Sequence, residues 1–250
     1  MMTSTPPMKK QDDFPFYNGV PVAITVRQWL MVLSAVAIGF ACVAAPVEFF
    51  KGTFTQIIPA VLFVAIPLLV LAFVVPQHWR RLFRKVGRRD IAIMFGVAGL
   101  NIVVSLSVGM LVMKYYGAEP NPAIELLANA TALERVAFFV RTLPQLLGEE
   151  IFSILPFLAV MTFATSLKMS RSNALWVAWL VTALIFGAAH LPTYGWNVLQ
   201  CLLVIGSARL VLLLAYITTK NIWVSTGAHV INDWFIFLVS IFGAMRAIAS

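Results

Sequence analysis

The hydrophobic positions of this chain fall into seven long runs, at 28–47, 54–75, 91–113, 136–167, 174–189, 196–218 and 222–245, joined by short polar or basic stretches. Each run reaches or approaches the ~20 residues that a helix needs to cross about 30 Å of hydrocarbon. The fourth is too long for one simple span, and Pro144 and Gly148 offer a division into an interfacial helix from about Leu133 and a span proper. The pattern predicts an all-α, polytopic transmembrane helical bundle of seven spans, with eight as the alternative. It divides the chain into a flexible polar N-terminus (1–27), N-terminal transmembrane helices with their loop (28–132) and a C-terminal helical core (133–250). Val43, Ala44 and Ala45 have the small-residue look of a cleavage site, but Pro46 follows directly, so the first run reads as a retained signal anchor. The sequence carries no inverted repeat of the kind that marks many transporters.

Composition sharpens this picture. Of 250 residues, 61% are hydrophobic and only 11% charged, and the mean hydropathy is +0.91. A soluble domain carries about 25% charged residues. So apolar a chain has no way to present a mostly polar exterior, which excludes a cytosolic enzyme, a secreted disulfide scaffold and a disordered tail. The net charge of +8 does not indicate nucleic acid, because the basic residues sit at the ends of the runs. Six of the eighteen Lys and Arg lie in the stretch 80–89 (Arg80, Arg81, Arg84, Lys85, Arg88 and Arg89), which reads as a cytoplasmic loop against anionic lipid. With Lys9, Lys10, Arg27, Lys168, Arg171 and Lys220 on the same side, the N-terminus is cytoplasmic and segment 114–135 lies outside. The expected setting is multi-pass in a bacterial plasma membrane. Cys42 and Cys201 lie inside apolar runs and imply neither a disulfide framework nor a thiolate metal site.

Ionisable groups within spans are costly and face partners or a cavity, so the few present are the functional candidates. Glu149 and Glu150 are adjacent, about 100° apart on a helix, so one can act on substrate or metal while the other holds a neighbouring helix. The competing reading is an interfacial pair at a helix start. His190 stands four residues after Phe186, on one face of the fifth span. His229 and Asp233 share a face of the last span, with Asn232 beside them, which suits a histidine oriented by a carboxylate or a purely local bond. Arg209, deep in the sixth span, is expected to pair with Glu150 or Asp233, since an unpaired intramembrane charge is expensive. Glu149, His190 and His229 together form the ligand types of a mononuclear hydrolytic zinc site. The same groups also suit metal-independent chemistry, a glutamate and histidine activating water while the second histidine and its neighbour stabilise an oxyanion. Both remain open at this level.

The order of these residues, an EE pair, then FxxxH, then Hxxx with a polar residue, resembles the CAAX protease and bacteriocin-processing (CPBP) family of intramembrane proteases. Glu149 and Glu150 match the first element, Phe186 to His190 (FGAAH) the second, and His229 to Asp233 (HVIND) approximates the third, within about 133–244. The resemblance implies a helical membrane endopeptidase in which Glu149 with His190 activates water. His229 with Asp233 would then assist the tetrahedral intermediate or bind metal. Two positions depart from the family pattern. Ile154 stands where an arginine is expected after Glu150, and Asp233 where an asparagine is expected.

Helix arithmetic sets a problem for this site. At ~1.5 Å per residue, Glu149 lies about 28 Å from Lys168 and His190 about 28 Å from Arg171, but His229 is only about 14 Å from Lys220 and Asp233 about 20 Å. Convergence then requires tilt, a shifted span or broken helices, with Gly148, Gly187, Pro192 and Gly227 as the places for breaks. The leading function is an intramembrane endopeptidase acting on a membrane-associated or lipidated peptide or protein. The alternatives are a non-enzymatic scaffold or bacteriocin self-immunity protein, and a proton-coupled transporter.

Overall fold

The computed structural model describes residues 13–249. Among these the elements are helical: α1 (Val26–Ala44), α2 (Ile57–Val74), α3 (Arg88–Tyr116), α4 (Pro122–Asn129), α5 (Ala132–Ser166), α6 (Arg171–Ala189), α7 (Gly206–Thr219) and α8 (Ile222–Ala249). A π-helical segment, Gln200–Ile205, leads directly into α7. With the π-helical segment counted as part of α7, seven helices among the described residues are long and apolar enough to cross a membrane. The chain is an integral, multi-pass membrane protein with an all-α bundle.

The division of the fourth run into two helices is corrected. α5 is one continuous helix of 35 residues that contains both Pro144 and Gly148, roughly 52 Å long at helical rise. Its start is set by a capping box: the Glu134 N–H donates to Thr131 Oγ1 at 3.3 Å, and the Thr131 N–H donates to Glu134 Oε2 at 2.7 Å. Gly148 marks a close approach rather than a break. A Cβ built there would stand 2.5 Å from the Phe63 ring of α2. α5 is also the centre of the bundle. α1 and α2 form an antiparallel pair that packs on its one side, α6 and α8 contact it on others, and α3 lies against α7 and α8.

The flexible polar N-terminus expected over 1–27 lies outside the described residues as far as residue 12. From Asp13 onward the segment is packed: Phe14, Phe16 and Tyr17 are buried in the main core cluster. Phe14 stacks edge-on to Phe157 at 5.4 Å and lies 5.9 Å from Tyr216. Asp13 accepts a bidentate pair from Arg171 at 2.6 and 2.8 Å and a bond from the Tyr17 hydroxyl at 2.7 Å. Arg84 donates to the Asp13 carbonyl at 3.2 Å, and its own backbone is clasped by the Asn221 side chain. The segment thus closes the end of the bundle that carries the basic loops, because its aromatic residues outweigh the polar ones around them.

The stagger of the helix ends answers the depth problem, without breaks at the glycines. The Phe157 ring of α5 meets the Tyr216 ring of α7 at 6.1 Å. From that level α5 runs on to Ser166 while α7 ends at Thr219, so α5 projects about 9 Å further at helical rise. Phe14 and its neighbours fill the step. Seven residues back from Phe157 and from Tyr216 lie Glu150 and Arg209, at matching depth.

Candidate active site

Glu150 and Arg209 are both fully buried and paired, Arg209 Nη1 donating to Glu150 Oε1 at 2.6 Å. Of the two partners expected for Arg209 from sequence, the structure pairs it with Glu150. Arg209 therefore supplies the cation that Ile154, buried and apolar on α5, does not. Its guanidinium also lies 3.6 Å above the Phe186 ring, and that ring also packs on His190, with centroids 4.7 Å apart. Phe186 is thus an aromatic spacer between a cation and a histidine.

His229 reaches the same pair from α8. Its Nδ1 lies 2.8 Å from Glu150 Oε1 and 3.4 Å from Arg209 Nη2. One ring nitrogen cannot donate to the carboxylate and accept from the guanidinium at once, and the shorter contact assigns the Nδ1–H to Glu150. That leaves Nε2 directed at two other carboxylates, 3.8 Å from Glu149 Oε2 and 3.7 Å from Asp233 Oδ1. Glu149 accepts from Gln145 Nε2 at 3.2 Å. Asp233 accepts from Asn232 Nδ2 at 2.9 Å, and Asn232 Oδ1 accepts from Asn101 Nδ2 of α3 at 3.0 Å. His190 caps α6, and its Nδ1 stands 2.8 Å from the Phe186 carbonyl. An Nδ1–H donated there leaves the Nε2 lone pair free.

Glu149, His190, His229 and Asp233 line one cavity of about 390 Å³, whose wall also includes Asn101, Tyr194 and Arg141. A second cavity, of about 330 Å³ and lined by Phe40, Phe63 and Phe152, meets the first at Glu149, Phe186 and His190. Burial pushes the Tyr194 hydroxyl up to about 12, with the nearby Asp233 adding to it, so it remains a neutral donor. Among the described residues, no three His, Cys, Asp or Glu side chains are grouped so as to hold a metal ion. His229 and His190 each commit Nδ1, to Glu150 and to a backbone carbonyl, so the ring nitrogen each keeps for water, substrate or an ion is Nε2.

The site thus brings together three histidine and carboxylate motifs that lie far apart in sequence. Residues 131–235 match the Rce1-like family, described as type II CAAX prenyl endopeptidase Rce1-like. The matched segment starts at the cap of α5 and ends two residues beyond Asp233, so it contains each of the paired and cavity-lining groups above except Phe40, Phe63 and Asn101. The match agrees with the CPBP resemblance and supports, at family level, a CAAX-type intramembrane endopeptidase. No curated protein and no solved structure matches the chain.

Sequence reasoning passed over Asn101, Tyr194, Arg141 and Gln145. Asn101 left a signal, an amide in the middle of an apolar run. Tyr194 left none, because it reaches the cavity through the tight turn Pro192–Tyr194 that follows α6.

Proposed function

We propose that this protein is an intramembrane endopeptidase that hydrolyses a peptide bond of a membrane-associated substrate through water activated by Glu149 and His190. The observation that carries the reading is the Glu149 carboxylate facing His229 Nε2 at 3.8 Å inside a cavity. Glu149 takes a proton from water, and the hydroxide adds to the scissile carbonyl carbon. His190, with its Nε2 free, steadies the water. His229, anchored at Nδ1 by Glu150, donates from Nε2 in its doubly protonated form to the oxyanion. Collapse of the intermediate breaks the C–N bond, and Glu149 returns its proton to the leaving amine. Asp233 keeps the charge of His229 balanced, and Glu150 with Arg209 acts as a positioning pair rather than touching substrate.

The basic loops mark the cytoplasmic end of the bundle under the positive-inside rule. The cavity lining reaches Asn121, Pro122 and Thr193, at the opposite end of the bundle. Substrate accordingly enters from the non-cytoplasmic side, and the exposed Arg80, Arg81, Lys85, Arg88 and Arg89 rest against anionic lipid on the other.

The test compares peptide termini in membranes from cells making wild-type protein with those making Glu149→Gln at equal abundance. A discrete set of termini lost in the variant, with turnover down by about 100-fold or more, is the expected result. Identical termini in both would overturn the reading and leave Glu149 a structural charge.

A further inference from the structure

The turn that follows α6 brings two side chains to the cavity, His190 and, four residues later, Tyr194. The turn is tied at both ends. The His190 carbonyl accepts from the Thr193 N–H at 3.0 Å and the Tyr194 N–H at 3.2 Å, and the Trp196 N–H returns to the Leu191 carbonyl at 2.8 Å. Gln200 then fastens it to the loop before α4, accepting from the Glu119 N–H and donating to the Glu119 carbonyl, both at 2.8 Å. Tyr194 is only 7% exposed, yet its hydroxyl has no hydrogen-bond partner among the described residues. Its side-chain interactions are electrostatic, with Asp233, Cys201 and Glu149. A buried tyrosine ordinarily bonds its hydroxyl to a partner, so this one calls for an acceptor.

Asp233 and Glu149 are also the carboxylates that stand 3.7 and 3.8 Å from His229 Nε2. Tyr194 and His229 thus bring donors from two elements to one part of the cavity. Hydrolysis there creates an oxyanion beside Asp233, which as a carboxylate has no proton to donate, and beside Glu149, whose acquired proton goes to the leaving amine. The neighbouring amides are engaged: Gln145 bonds Glu149, Asn232 bonds Asp233 and Asn101 bonds Asn232. We propose that Tyr194 is a further catalytic residue, its hydroxyl donating a second hydrogen bond, beside that of His229, to the oxyanion of the tetrahedral intermediate. The inference rests on the endopeptidase reading above and deepens it. The tyrosine keeps its proton throughout, and the bond strengthens as negative charge collects on the carbonyl oxygen. Because the tied turn already holds the ring, this donor needs no rearrangement when that charge develops.

The test uses purified full-length protein in liposomes and a peptide spanning a cleavage site found in the comparison of membrane termini. The probe is the same peptide with a phosphinate, tetrahedral and anionic, in place of the scissile amide. Tyr194→Phe keeps the ring and removes only the hydroxyl. It is expected to lower kcat by about 100-fold with KM unchanged. Inhibition by the phosphinate peptide is expected to weaken by a similar factor, because the probe carries the charge of the intermediate. An unfolded fraction lowers kcat but leaves the inhibition constant of the folded protein as it was, so the second readout stands even where the variant folds poorly. An unchanged phosphinate inhibition constant, or one that rises only in step with KM, makes Tyr194 a wall of the cavity and overturns this inference while leaving proteolysis standing. The absence of any Glu149-dependent cleavage by wild type overturns both.

Discussion

Arg209 is a cation held in a position where it can be neither solvated nor released. It is fully buried between Glu150 and the Phe186 ring, and Glu150 in turn fixes the tautomer of His229. Removing one member of a buried pair leaves the other unpaired and typically costs about 3–5 kcal/mol. Arg209→Leu should therefore lower thermal stability markedly in detergent and release His229 from its orientation. Leu at both positions 150 and 209 should recover part of the stability but not activity, because no group then holds Nδ1. A single Arg209→Leu protein that melts and cleaves like wild type would refute the positioning role. The adjacency of Glu149 and Glu150 was enough to give them different roles, since helix geometry turns them 100° apart, although both meet His229, at opposite ring nitrogens. Which neighbours they have was not legible, because that depends on the relative depth of α5, α7 and α8.

At the scale of elements, the site depends on how closely α6 approaches the π-helical segment before α7. A Cβ on Gly187 would stand 2.6 Å from the Cys201 carbonyl oxygen. That neighbour is backbone and has no rotamer in which to retreat. Gly187→Ala is thus expected to push α6 outward and move Phe186 and His190 together away from Arg209 and the cavity. Activity should fall more steeply than stability, measured as cleavage rate against melting temperature. A variant with wild-type cleavage would show that the contact can relax. The seven long helices were readable as apolar runs because a span needs length and apolarity and little else. α4 was not. Its Asn121 side chain caps the helix by accepting from the Ala123 N–H at 3.0 Å, and Pro122 opens the first turn, but eight residues are too few to show a period. The continuous α5 also resisted reading, because Pro144 and Gly148 resemble breakers, yet the helix runs through both.

For the molecule as a whole, the packed segment from Asp13 ties the basic end together. Burial would raise the Asp13 carboxyl, but bonds from Arg171, Tyr17 and the Phe14 N–H outweigh it and hold the group down at about 2. A carboxylate held below its unfolded value adds stability that is complete above about pH 4 and lost as pH falls toward the folded value. Asp13→Asn should lower the melting temperature at neutral pH by about 2–4 °C, given ~1 kcal/mol for a partly exposed pair. The gap from wild type should close between about pH 4 and pH 2, and a gap independent of pH would remove the ionic contribution. The proposed orientation has its own check. In a Cys42→Ser, Cys201→Ser background, a membrane-impermeant maleimide applied to intact cells should label Gly117→Cys but not Gly87→Cys, and the reverse pattern would invert the topology. The sequence alone determined the membrane class, the seven spans and the short set of ionisable residues, because hydrophobic thickness and the cost of buried charge act locally along the chain. Only tertiary structure decided that Arg209 pairs with Glu150 and that Asn101 and Tyr194 join the cavity. Those outcomes depend on the stagger between helices, which no single helix encodes.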